Sequence, residues 1–356
     1  MSDPPVTILG VESSCDETAA AVVRNGRATL SNIIATQTEL HEEYGGVVPE
    51  IASRAHIERI LPVIDRAMKD AQVGPDDLDA IAVGHRPGLI GSLLVGVAAA
   101  KTLAWAWGKP LIGVDHVIAH LHSGSLDAEP PEFPALGLVV SGGHTNLFVM
   151  RSPIDIDALG RTIDDAIGEA YDKAATILGL GFPGGPIVDE RAARGDETAH
   201  ELPISTLDRD SLDFSFSGLK TALLYTVRGT PKKRGKESYY ERDHSDLSAA
   251  EIDDLCASFQ RAAVGAIMLK LRRAFEQLSE RDEAPRTLIV GGGVSANSRL
   301  RAEVTAFASE RGLDLRLPSM AHCLDNAAMI AGLAFHFYKA GRFDELSLTA
   351  SASASF

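Results

Sequence analysis

Two segments of the chain are built alike, and this repetition constrains the fold more than any other feature. ILGVESSCDETAAAVV, from Ile8, and LGLVVSGGHTNLFVM, from Leu136, each read as strand, polar loop, strand. One such unit opens each half of the chain. Between the halves lies LDAEPPEFPA, rich in proline and acid, which reads as a linker. The pattern predicts an α/β chain of two similar lobes facing a cleft. The first lobe is expected over residues 1–130 and the second over 131–325, with a final helix over 326–345 packing back on the first. Residues 228–246 show no periodicity and read as a loop insertion.

The rest of the chain fits that frame. Asn25-Gly26 joins the second and third strands as a two-residue hairpin. IASRAHIERILPVIDRAM predicts a helix with Ile57, Ile60, Leu61, Ile64 and Met68 inward and a kink at Pro62. DAIAVG reads as a buried strand. SLLVGVAAAKTLAWAW reads as a largely buried helix ending at Gly108. Ser248 and Glu251 form a capping box that opens a long helix. RTLIVGGGVSANSRLRAEV is strand, glycine turn, helix.

Composition excludes several classes. With 356 residues, 45% apolar and 23% charged, the chain is an ordinary globular one. Its net charge of −15 makes it a poor non-specific nucleic-acid binder, since phosphate affinity comes from Lys and Arg. The stretch Arg228 to Lys236 is a local exception, with five positive residues and no acid. The apolar run from Gly88 to Ala100 is shorter than the roughly 18 residues a membrane span needs. No basic region leads into an apolar core near the N-terminus, so no signal peptide is expected. Cys15, Cys256 and Cys323 form no disulfide framework, which fits a reducing cytoplasm.

Four groups of residues could carry chemistry. In DHVIAHLHSG, His116 and His120 are four apart and share one helical face, a good metal-ligand spacing. A zinc protease would need Glu after the first histidine as its base, and Val117 stands there. A third ligand must come from elsewhere. Asp325 in HCLDNAA is the best candidate, although its position before a helix suits an N-cap equally. Two histidines and a carboxylate leave open coordination positions and suit iron(II) or zinc. Glycine loops at Ser141-Gly142-Gly143 and in VGGGVSANSR can bring backbone N–H groups to a phosphate, though neither matches a named fingerprint. Asp165, Glu169 and Asp172 share a face of one helix, and Asp172 and Asp189 are candidates to point into the cleft. Glu12, Asp16 and Glu17 crowd the first strand turn.

Taken together the motifs resemble one family. GVESSCDETAAAVV, GGVVPEIASRAHIE, HVIAH, VVSGGHTNL, DDAIGEAYDKAATILGLGFPGGP, FSFSGLKTALL, LIVGGGVSANSRLR and CLDNAAMIAG occur in the order seen in the tRNA N6-adenosine threonylcarbamoyltransferases (TsaD, also called Gcp or YgjD). The resemblance covers about Ile8 to Ala340. It implies the two-lobed actin/Hsp70/sugar-kinase-like fold, a duplicated ribonuclease H-like unit. It implies transfer of threonylcarbamoyl from threonylcarbamoyl-AMP to the N6 amine of the tRNA adenosine 3′ of the anticodon, with release of AMP. It further implies one divalent metal on His116, His120 and Asp325, with iron(II) favoured over zinc. Substrate contacts are expected from Val139, Val140, Ser141, Gly142, Gly143, Asp172, Gly185, Asp189 and Asn297, and a proton acceptor from Asp16 or Glu17.

The resemblance implies partners too: tRNA, a paralogous TsaB-like subunit and a small TsaE-like ATPase, with the donor made by a separate synthase and no membrane involved. One departure stands out. The family usually shows T-x-G-P-G before the apolar helix, and this chain reads VGHRPG, with Arg86 in place of glycine. The rival readings are a sugar-kinase-like phosphotransferase, which needs no histidine site, and a metal-dependent glycopeptidase, which lacks its glutamate.

Overall fold

A computed structural model describes residues 4–354 apart from 235, 236, 241 and 282. The first half contains β1 (Thr7–Glu12), β2 (Glu17–Arg24), β3 (Ala28–Thr36), α1 (Thr38–His41), α2 (Pro49–Ala71), β4 (Ala80–Arg86), α3 (Ile90–Trp107), β5 (Leu111–Asp115) and α4 (His116–His122). The second contains β6 (Ala135–Val140), β7 (Thr145–Ser152), β8 (Asp155–Arg161), α5 (Ile167–Leu178), α6 (Gly184–Ala192) and α7 (Ser217–Arg228). It continues with β9 (Lys232–Arg234), β10 (Glu237–Tyr239), α8 (Ala249–Glu280), β11 (Thr287–Gly291), α9 (Ser298–Arg311), β12 (Asp314–Arg316) and α10 (Ala327–Lys339).

The duplication is visible strand by strand. The first sheet runs β3-β2-β1-β4-β5 and the second β8-β7-β6-β11-β12. In each, the first three strands are antiparallel neighbours and the last two join in parallel. Parallel pairing demands a crossover, supplied by α2 before β4 and by α8 before β11. Both central strands are buried along their whole length, as strands covered on both faces must be. The turn between β2 and β3 has Asn25 and Gly26 at φ 52° and 70°, the left-handed pair that a tight hairpin requires.

Helix α10 crosses back over the first sheet, where Ala327, Ile330 and Leu333 pack with Ile8, Ala82 and Ile112. Helix α4 is wedged at the junction of the sheets. Its Val117 and Leu121 pack with Val139, Phe148 and Ile289 of the second sheet. Gly291 allows this, because a Cβ there would run into the His120 carbonyl.

Several local expectations need correction. Helix α2 continues through Pro62, but it exposes Ile57 and Leu61, at 65% and 61%. Ile60, Ile64 and Met68 are buried as expected, and with them Val63, the alanines Ala52, Ala55 and Ala67 and the imidazole of His56. The buried face is thus rotated away from Ile57 and Leu61 and includes small residues. Helix α3 is buried on one side only, with Ile90, Leu94 and Trp105 exposed. Asp165 precedes α5 rather than riding on it. Its carboxylate bonds Lys173 and Lys220, each at 2.7 Å. The segment 228–246 is not wholly loop, since β9 and β10 pair as a short hairpin. Gly235 and Lys236 of its basic stretch lie outside the described residues.

Candidate metal centre and cleft

The histidine helix starts where Asp115 makes it start. Asp115 Oδ1 accepts the N–H groups of Val117 and Ile118 at 3.0 and 3.3 Å, a side-chain N-cap. His116 and His120 then fall on one face, both buried. Asp325 approaches from the other end of the chain. It is not the cap of α10. Asn326 takes that role by accepting the Met329 N–H at 3.0 Å, and its Nδ2 bonds the Leu324 carbonyl at 2.8 Å. The loop is thereby pinned with the Asp325 carboxylate left facing the histidines. Ligand atoms of His116, His120 and Asp325 lie within 4.8 Å of one another.

The arrangement fits a metal better than a hydrogen-bonded cluster. His120 Nε2 is 3.1 Å from Asp325 Oδ1, yet neither ring nitrogen of His120 has an aligned hydrogen-bond partner among the described residues. Buried polar atoms are rarely left this way. His116 is held differently. Its Nδ1 lies 3.0 Å from Glu12 Oε2 and 3.1 Å from Ser14 Oγ. A carboxylate on Nδ1 leaves Nε2 as the ligand atom, 3.6 Å from Asp325.

The electrostatics agree. Burial opposes a charge on His116, but Asp325, Glu12 and Asp115 outweigh it and raise its pKa to about 9. Burial, with His116 alongside, lowers that of His120. Burial also opposes the charge on Asp325, but His116 and His120 hold it well below the usual carboxylate range. Such a site is poised to exchange a proton for a cation.

Other candidates gather round this centre. Glu17 titrates well above an ordinary glutamate, because it is buried and faces Asp16 and Asp325. The Cys15–Glu17 loop is held from behind by His56. The His56 Nε2–H donates to the Cys15 carbonyl at 2.9 Å, and Thr18 Oγ1 lies 2.7 Å from Nδ1. Asp172 accepts the Gly184 N–H at 2.7 Å. Burial raises its pKa, Gly184 and Gly185 pull it down, and Asp16 raises it further. Gly185 has open space where a side chain would be.

The SGG loop is anchored to α5, with Gly168 and Glu169 donating to the carbonyls of Ser141 and Gly142 at 3.2 and 3.1 Å. Ser141 N–H bonds the His144 carbonyl at 2.8 Å. The exposed Gly142 and Gly143 are the part of the loop turned to solvent. Val139 and Val140 are buried strand residues, so only their backbone is available to a substrate. His144, which sequence reasoning passed over, lies within the field of the centre. Burial first, then His116 and His120, push it down to about 4. Its place in SGGHTN, directly after the glycines, was the available signal.

Asp189 and Asn297 meet elsewhere. Asp189 Oδ1 accepts from Ser298 Oγ, Gln260 Nε2 and Asn297 Nδ2 at 2.7, 3.0 and 3.1 Å, and its Oδ2 takes the Ser298 N–H. Asn297 caps α9 through Leu300. The N-terminus of α9, read from sequence as an anion site, is therefore filled by the chain's own side chains.

Two five-stranded sheets of one topology, with a histidine–carboxylate cluster on the junction helix, define a two-lobed actin-like protein. Solved structures carry the same fold at low identity. A HypF from T. kodakarensis superposes with a TM-score of 0.61 at 14% identity, over 95% of this chain and 49% of that one. Component A of the Acidaminococcus fermentans (R)-2-hydroxyglutaryl-CoA dehydratase gives 0.52 at 12%, over 94% and 98%. The family model "TsaD: tRNA N6-adenosine threonylcarbamoyltransferase" matches residues 28–332. Curated relatives bearing that name include one from Rhodopirellula baltica, 50% identical over 96% of this chain and 95% of its own. Another, from Anaeromyxobacter dehalogenans, is 49% identical over 92% and 93%. The chain belongs to the TsaD family of tRNA N6-adenosine threonylcarbamoyltransferases. It is a transferase that acts on tRNA in threonylcarbamoyladenosine biosynthesis.

Proposed function

We propose that the cleft moves threonylcarbamoyl from threonylcarbamoyl-AMP to the N6 amine of the tRNA adenosine 3′ of the anticodon, in tRNAs reading codons that begin with adenine. The observation that carries this reading is the His116–His120–Asp325 cluster beside the acidic loop, in which neither His120 nitrogen has an aligned hydrogen bond among the described residues. One divalent ion, iron(II) in preference to zinc, suits this donor set. When bound it supplies Lewis-acid polarisation of donor oxygens.

The chain's own residues do the rest. The amine nitrogen attacks the carbamoyl carbon, the carbon–oxygen bond to phosphate breaks, and AMP leaves with the electron pair. Glu17, or Asp16 beside it, takes the amine proton. Its raised pKa makes Glu17 the stronger base of ordinary carboxylates. The turn at Ser141, Gly142 and Gly143 contacts the donor's oxygens, with Gly142 and Gly143 offering N–H groups while that of Ser141 is taken by the His144 carbonyl. Asp172 and the open backbone at Gly185 line the donor's other end. Asp189 and Asn297 serve by holding α9 and the Gly-rich turn in place. Because adenine's amine is a weak nucleophile, positioning supplies much of the rate.

In this reading residues up to 130, with α10, act as one lobe and 131–325 as the other, closing on the donor. The basic half of 228–246 touches tRNA. A TsaB-like paralogue and a TsaE-like ATPase assist in the cytoplasm, without a membrane. Ile57 and Leu61 on α2 and Leu94 on α3 are large apolar side chains left exposed, a feature in keeping with a protein partner. The test is reconstitution with iron(II), tRNA, threonylcarbamoyl-AMP and the paralogous subunit. Formation of the modified nucleoside with equimolar AMP supports the reading. AMP release without modification, or ATP-dependent phosphorylation of a sugar, sinks it.

A further inference from the structure

A cavity lined by Asp115 and Ile118, at the start of the histidine helix, includes neither His116 nor His120. It measures about 450 Å3, within the range of small-molecule sites. It opens between β5, the C-terminal end of α10 and the β7–β8 hairpin. Its floor is apolar, with Ile112, Ile154, Ile156 and Phe337. Two arginines reach it from separate elements: Arg86 at the end of β4 and Arg342 after α10. Arg86 is the residue that replaces the family's glycine.

The polar groups around this cavity are unequal. Its acceptors are engaged. Asp115 Oδ1 caps α4, and Asp344 Oδ2 takes the Gly113 N–H at 2.7 Å. Its donors are not. Arg86 Nε is buried without a hydrogen-bond partner. It stands 3.5 Å from Asp115 Oδ2, a loose ion pair. No side-chain hydrogen bond or ion pair holds Arg342 among the described residues. A ligand that completes this site must therefore bring acceptors and an apolar body.

We infer that the cavity between Arg86 and Arg342 is a second ligand site, for a small organic anion with a flat apolar body. The anion lies between the two guanidinium groups, and its body covers Phe337 and the isoleucines. Binding draws on Arg86, the partner of the carboxylate that starts the metal helix. The site is thus placed to report a metabolite's presence to the centre. This inference is independent of the identity of the transferred group.

The experiment is calorimetric titration of the metal-loaded full chain with 1-naphthoate, and separately with its neutral amide. Saturable one-to-one binding of the carboxylate is expected, with little from the amide. Arg86→Gly and Arg342→Gln should each weaken it roughly tenfold or more, the loss of a charge-assisted contact. Arg342 sits on an exposed segment, so its variant reads the site even where Arg86→Gly unfolds. No binding up to millimolar carboxylate overturns the inference, as does equal binding of the amide or wild-type affinity in folded variants.

Discussion

Two polar clusters of this chain look alike in the sequence and differ in the structure. Buried His116 and His120 and half-buried Asp325 lie side by side, and neither His120 nitrogen has an aligned hydrogen bond among the described residues, although Nε2 stands 3.1 Å from Asp325 Oδ1. Asp189, Asn297 and Gln260 are also drawn together, but their bonds are closed among themselves and with Tyr171 and Ser298. A cluster whose donors and acceptors match holds a fold together. A cluster whose nitrogens and carboxylate crowd together without aligned hydrogen bonds can trade its proton for a ligand. The difference marks the first as a candidate metal centre and shows the second tied into the fold, which residue type alone does not.

Breaking each cluster should therefore have opposite signatures. His120→Ala or Asp325→Asn should lower bound metal from about one equivalent to a trace and cut transfer by at least roughly a hundredfold. Elemental analysis of the purified variants checks this, and the melting temperature of metal-free protein should change little. Asp189→Ala should do the reverse. It strips partners from Ser298, Asn297 and Gln260, at a cost of about 1–3 kcal/mol in unfolding free energy. Denaturant titration measures the cost, and metal content should stay at wild type.

Smaller changes sharpen the contrast. Glu12→Gln keeps the shape but removes the charge facing His116 Nδ1, and should weaken metal affinity about ten- to a hundredfold. Competition with a chelator reads it. Glu17→Gln should separate stability from activity. Glu17's pKa is raised in the fold, so its contribution to stability is full below the ordinary glutamate pKa and is lost as pH rises through the folded value. At neutral pH the amide should therefore make metal-free protein more stable while slowing transfer, and should remove the acid limb of the pH–rate profile. The smallest effect is expected on the hairpin. Reversing Lys232, Lys233 and Arg234 should weaken tRNA binding a few-fold and flatten its salt dependence. Unchanged affinity would sink that contact.

Much of this was legible beforehand, for definite reasons. The two strand–loop–strand units show in sequence because hydrophobic runs broken by polar turns are local. The histidine pair shows because helical spacing is local. Asp325 was ambiguous because the competing N-cap, Asn326, is its neighbour, and only hydrogen-bond geometry separates them. Glu12 stood out as an acid, but its pairing with His116 spans 104 positions and depends on how β1, β4 and β5 align. On α2 the sequence places Ile60, Ile64 and Met68 correctly, but Ile57 and Leu61 look equally like core residues, whereas the helix turns Ala52, Ala55 and Ala67 inward in their stead. His144 is hard to single out because its one local signal, the place directly after the glycines of SGGHTN, also suits a turn residue.

The central claim is that the histidine–aspartate centre drives threonylcarbamoyl transfer. The most direct test is the modified-nucleoside content of tRNA from cells depleted of the endogenous transferase and rescued with this chain or with His120→Ala. Threonylcarbamoyladenosine restored by the wild type and absent with His120→Ala, at equal protein level, is the result expected here. Full modification with His120→Ala would show that transfer does not need this centre, and would contradict the account.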